Sequence, residues 1–176
     1  MGYTHYFNRT VSLSEEQAAQ LCEDAAKIVT YWFDHTTNSA EIFAKEEEHS
    51  GRWDEWLEDS QNQLKILESA DNREEKLVAL WKNSNAIFIH PDDETVPSEG
   101  FYFPFDGDSF SFCKTNHAEG FGPLVYGLFY FLKLSGVGRV SSDYQSAETG
   151  AGRKLVKAVF PELITVRGSR KRETLV

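Results

Sequence analysis

The sequence predicts a single α+β domain, a mixed or mainly antiparallel sheet of about five strands with helices packed on it. Short strand-like runs stand at residues 3–8, 86–89, 100–105 and 109–115, whereas apolar residues recur with a helical period at 18–32 and 146–160. The two textures are interleaved along the chain rather than segregated. A length of 176 residues suits one core better than two.

In the opening strand, Tyr3, His5 and Phe7 fall on one face and Thr4 and Tyr6 on the other. Ser12 stands three residues before Glu15, as in a capping box, and Ala18, Leu21, Cys22, Ala25, Ile28, Val29 and Trp32 follow at helical spacing. Cys22 therefore reads as core. The Thr36-Thr37-Asn38-Ser39 cluster ends this helix. An acidic helical insertion then covers about 36–83, with Trp53, Trp56, Leu57, Leu64 and Leu67 on one apolar stripe and Leu77, Leu80 and Trp81 on another. Within it, Glu46-Glu47-Glu48 reads as a solvated helix face.

The pattern changes at Asn85. Residues 86–89, 100–105 and 109–115 read as three strands in the middle of the sheet, the last two joined as a hairpin through Asp106-Gly107-Asp108. Pro123 suits the first turn of a helix whose residues 124–134 are apolar nearly all round, as in a helix buried on most sides. A strand at 137–142 and a helix at about 146–160 follow, with Leu155, Val156 and Val159 inward and Pro161 ending the helix. The domain is thus expected to occupy 1–166, and the basic tail at 167–176 to be mobile.

Composition narrows the function. The net charge of −10 disfavours a binder whose affinity comes mainly from cationic contacts to nucleic-acid phosphates. Residues 1–99 carry 8 basic and 21 acidic side chains, whereas 100–176 carry 10 and 7, so an anion is expected to bind in the second part. Aromatic residues make up 14% of the chain, enough to fill a core and leave some to stack on a base. The longest apolar stretch, 120–132, is too short to span a bilayer, which needs about 20 residues. No secretory pattern opens the chain, and Tyr6 breaks a myristoylation signal. Only two cysteines are present, so a reducing cytoplasm is the expected location.

His90-Pro91-Asp92-Asp93-Glu94 follows a buried strand and resembles the signature of the N-acetylglucosamine-phosphoinositide de-N-acetylase-like zinc hydrolases. That resemblance implies His90 and Asp93 as metal ligands and Asp92 as base, with His117 as the available third ligand downstream. A polar turn between strands is the plainer reading, so no metal or other cofactor is assigned. In Cys113-Lys114, strand alternation turns the two side chains to opposite faces, which makes Cys113 a buried strand residue rather than a nucleophile. No catalytic residue is assigned, and there is no Gly-rich phosphate loop.

A wider set of segments is more informative: Gly2-Tyr3-Thr4-His5-Tyr6, Phe101-Tyr102-Phe103-Pro104, Phe112-Cys113-Lys114-Thr115 and Val140-Ser141-Ser142-Asp143. They resemble a group of small proteins common in bacteriophage, and found also in bacteria and large viruses, that begin G-Y-T-H-Y and carry F-C-K-T and V-S-S-D. Where that group has a P-Y-D triplet after F-C-K-T, this chain has Gly120-Phe121-Gly122-Pro123. The expected site is His5, Tyr6, Lys114, Thr115, Arg139, Ser141, Ser142 and Asp143, polar groups at strand ends that could hold a phosphate and a ribose while a ring stacks on the base. The company of phage proteins implies a non-enzymatic protein of the host cytoplasm that captures a nucleotide-like small molecule and so blunts a host defence signal. Two rival expectations are an acidic inhibitor that mimics DNA towards a host defence protein and a zinc hydrolase using His90 and Asp93.

Overall fold

Alternation of rings with small or polar side chains makes Tyr3–Arg9 a strand, β1, and it lies at the centre of a three-stranded antiparallel sheet. The computed structural model describes residues 3–37, 39, 62–91, 100–115, 121–143 and 147–164. The further elements are α1 (Glu15–His35), α2 (Arg73–Ser84), β2 (Ala86–Ile89), β3 (Phe101–Pro104), β4 (Phe110–Thr115), α3 (Phe121–Leu134), β5 (Gly138–Ser142) and α4 (Ala147–Val159). Residues 62–68 are also helical. The class is α+β, as expected, and the five described strands are all antiparallel.

Those strands divide into two sheets, ordered β4-β1-β5 and β2-β3. The expected hairpin at Asp106-Gly107-Asp108 is absent, because β3 pairs with β2 while β4 pairs with β1. Gly107 does adopt the left-handed conformation of a turn, at φ 65°. The Arg9 guanidinium, however, donates to the carbonyls of Phe105 and Gly107, and the Arg9 N–H donates to Ser109 O at 2.7 Å. Phe103 and Phe105 are buried, and Phe103 meets Phe7 edge-on at 5.6 Å. The chain therefore crosses from one sheet to the other instead of folding back, since both rings gain more from the shared core than from a two-stranded ribbon.

Helix α3 is the hub. Ten of its residues from Phe121 to Leu132 are buried, in keeping with a sequence apolar all round. Phe129 lies parallel to Phe7 at 5.7 Å and against Phe101 at 4.7 Å, joining both sheets to the helix layer. α4 packs closely on α3 because Gly127 and Gly152 face each other; a Cβ on Gly152 would stand 2.8 Å from Gly127 N. α1 covers α3 and α4 and carries α2 on its other side. There Arg73, itself buried, donates to Asp34 at 2.7 Å and stacks over Phe33. Trp81 closes the α2 end of the core, and its indole N–H donates to Phe88 O at 3.0 Å. Asn85 ends α2 in the left-handed conformation, φ 53°, which asparagine tolerates.

The capping box of α1 stands two residues later than the spacing suggested. Ser14 is the N-cap, accepting from Gln17 N at 3.2 Å, while Gln17 Oε1 accepts from Ser14 N at 2.9 Å. Leu13 before the cap and Ala18 after it both pack on the core, a hydrophobic staple that sets this start. Ser14→Ala should lower unfolding free energy by about 1 kcal/mol. Ser12→Ala should change it by less than about 0.5 kcal/mol, as an exposed position outside the cap does, and urea titration of the two variants separates the alternatives.

Candidate functional site

The opening, F-C-K-T and V-S-S-D segments become three adjacent strands. Tyr3 stands opposite Thr115 and Thr4 opposite Lys114; His5 lies between Cys113 and Ser142, Tyr6 between Phe112 and Ser141, and Asn8 between Phe110 and Arg139. Strand alternation then splits the predicted site. His5, Thr115 and Ser142 face the helices, whereas Tyr6, Lys114, Arg139 and Ser141 face the other way. Asp143, just past β5, is exposed, and its N–H donates to Thr4 O at 3.1 Å.

The inward three meet a partner that the sequence reading did not include, Glu148 at the start of α4. His5 is fully buried; its Nδ1 lies 2.7 Å from Ser142 Oγ and its Nε2 lies 2.9 Å from Glu148 Oε2. Thr115 Oγ1 lies 2.7 Å from the same carboxylate oxygen and 3.3 Å from Tyr3 O, and its single proton serves the shorter contact. Glu148 is itself buried, and its Oε1 has no hydrogen-bond partner among the described residues. The carboxylate fits only because residue 122 is glycine, whose Cβ would stand 2.2 Å from Glu148 Cδ. Edge-on at 5.3 Å from His5 is Tyr126, whose hydroxyl accepts from Arg153 at 3.3 Å. That hydrogen bond, and electrostatic interaction with the Tyr126 and Tyr130 phenol groups, raise the Arg153 pKa. A signal for Glu148 did exist. The inward stripe Leu155, Val156, continued back by one and two turns, reaches Gly152 and Glu148.

Chemically, the order Ser142, His5, Glu148 is that of a nucleophile, a base and an orienting acid. Both ring nitrogens of His5 are nonetheless engaged inside the protein, and the ring has no exposed surface. The arrangement acts as a clamp, bonding the central strand to an edge strand and to α4.

The outward face is of another kind. Its rows run Phe112, Tyr6, Ser141 and Phe110, Asn8, Arg139, with Lys114 beside Thr4 at the strand ends. Phe110 and Phe112, on the edge strand β4, are 55% and 52% exposed, high values for phenylalanine. Phe110 stacks on Tyr6 at 6.0 Å and meets Phe112 at 6.2 Å, so the three rings form one continuous surface. Lys114 and Arg139 are exposed at its two ends.

The remaining candidates fall elsewhere. Burial pushes the His90 pKa down to about 4, leaving a neutral imidazole at the end of β2, tilted on Phe88. Asp92, Asp93, Glu94 and His117 lie outside the described residues, as do Trp53, Trp56, Leu57, the Glu46-Glu47-Glu48 run and the basic tail. Among the described residues no group of three or more His, Cys, Asp or Glu side chains could hold a metal. Nor is any described helix long and apolar enough to cross a membrane. Both cysteines are buried and unbridged, and burial raises the Cys22 thiol to about 11. A shallow groove of about 440 Å³ between α1 and α4, lined by Trp32, Pro123 and Leu155 among others, contains none of the predicted site residues. No family model, curated protein or solved structure matches this chain.

Two outcomes follow from this geometry. Thr115→Val leaves the buried Glu148 short of one donor and should lower stability by about 1–3 kcal/mol in urea titration, whereas Arg139→Ala, exposed on the outer face, should leave it nearly unchanged. The second concerns pH. His90 titrates near 6.5 when unfolded and about 4 when folded, so between these values the unfolded chain takes up a proton that the folded one refuses. This contribution is complete above pH 6.5 and is lost as the pH falls through the window, by at most about 3 kcal/mol. His90→Gln should flatten the measured stability profile there.

Proposed function

We propose that the protein is a binding protein without chemistry of its own, taking a nucleotide-type ligand on the outer face of the β4-β1-β5 sheet. The observation that carries this reading is the ring surface formed by exposed Phe110 and Phe112 with half-buried Tyr6, flanked on the same face by Lys114 and Arg139. Rings left in water keep an apolar area open that a nucleobase covers well, since every base has a π-face and stacking needs no particular sequence. Lys114 and Arg139 supply the charge for phosphate, Arg139 with a planar fork suited to bidentate contact. Ser141 and Asp143 offer hydroxyl and carboxylate groups to a sugar. In this reading His5, Thr115 and Ser142 hold the strands beneath the surface rather than touching the ligand. In the phage setting that the sequence resemblance implies, such capture would deplete a host nucleotide signal.

The test is a thermal-shift and calorimetric titration with thymidine monophosphate and the other common mononucleotides. A binding nucleotide at 100 times its dissociation constant should add about 2.7 kcal/mol of stability. Phe112→Ala and Lys114→Ala should remove most of that gain while leaving the unliganded melting temperature in place. Equal binding by these two variants, or no shift with any nucleotide, would overturn the proposal.

A further inference from the structure

The same surface narrows the ligand class, on the premise that it binds nucleotides at all. Lys114 and Arg139 sit at opposite corners of the face: Lys114 pairs with Thr4 on one side of β1, and Arg139 pairs with Asn8 on the other. With roughly 4.8 Å between strands and roughly 3.3 Å per residue, their Cα atoms lie about 16 Å apart. At that spacing the two cations can each meet a separate phosphate along one chain. Between them lie the rings of Phe112, Phe110 and Tyr6, with Phe110 meeting each of the other two, enough for successive bases rather than one. Phe110 and Phe112 are more than half exposed, so these rings lie at the surface, whereas capture of one small molecule ordinarily needs a cleft that encloses most of it.

We infer that the occupant is a short single-stranded stretch of nucleic acid, about three nucleotides long, its unpaired bases stacked along the ring surface and its backbone bracketed by Lys114 and Arg139. Single-strandedness follows from the contacts, because a duplex hides its base faces inside its own stack. The overall charge of −10 does not oppose this, since a surface that works by stacking depends less on phosphate neutralisation. Repulsion from the acidic part is screened beyond about 8 Å at physiological salt.

The experiment is fluorescence anisotropy with 5′-labelled hexathymidylate, with unlabelled thymidine monophosphate, a cyclic dinucleotide and a hexamer duplex as competitors. Hexathymidylate should bind at least about tenfold tighter than the mononucleotide, and the duplex should compete poorly. Neutralising two phosphates predicts a slope of about −1.4 for the logarithm of affinity against that of salt concentration, at about 0.7 per phosphate on a single strand. Lys114→Gln and Arg139→Gln should each reduce that slope by about half, and Phe112→Ala or Phe110→Ala should weaken binding at least about fivefold. If the mononucleotide or the cyclic dinucleotide binds as tightly as the hexamer, the nucleotide surface stands and the single-strand inference fails. If none of these probes binds, both fail. A salt slope unaffected by either charge substitution would also overturn the inference, because the bracketing would then be absent.

Discussion

His5 commits both of its ring nitrogens inside the protein, and that commitment brings together parts of the chain more than 100 residues apart. Nδ1 takes Ser142 on the neighbouring edge strand and Nε2 takes Glu148 on the last long helix, while Thr115 from the other edge strand meets the same carboxylate oxygen. Each of these groups is costly to bury alone; together each supplies the partner that makes burial tolerable. The cost of removing any one member is therefore concentrated at the junction of three strands and a helix. Slippage of β1 by one residue would turn His5 out to solvent and Tyr6 into the carboxylate, which leaves one register workable.

The outer face follows from that register. Once His5 and Phe7 point to the helices, Tyr6 must point away, and the same alternation sends Phe110, Phe112 and Lys114 outward on β4 and Arg139 and Ser141 outward on β5. A buried hydrogen-bond clamp and an exposed aromatic surface are thus two sides of one sheet. The clamp ties together the three strands that carry the surface.

Helix α3 makes this possible from within. It is apolar round nearly its whole circumference, so it can serve both sheets and two other helices at once, and Phe129 touches a ring from each sheet. Two glycines let α4 approach α3 backbone to backbone, and a third leaves room for the Glu148 carboxylate. The small residues are where the chain gives up side-chain volume so that the helices can close and a buried carboxyl group can reach its partners.

The sequence by itself determined what depends on near neighbours: the strands and helices, from the period of their apolar residues; the inward set of α1; the all-round burial of α3; the opposite facing of Cys113 and Lys114. It also marked the three segments that meet at the site. What it could not supply was the pairing of distant groups. The stripe of α4 continued back reaches Glu148, but nothing local names His5 as its partner, since the two are 143 residues apart. Arg73, buried against Asp34 and Phe33, was hidden for the same reason. The turn residues at 106–108 predicted a hairpin from local preference, and the tertiary structure overruled it because Arg9 and the shared phenylalanine core reward a crossing between sheets. Local periods and caps act over a few residues and are legible in order. The division of eight polar residues between a clamp and an open face depended on which side of the sheet the helices cover, and only the assembled fold decides that.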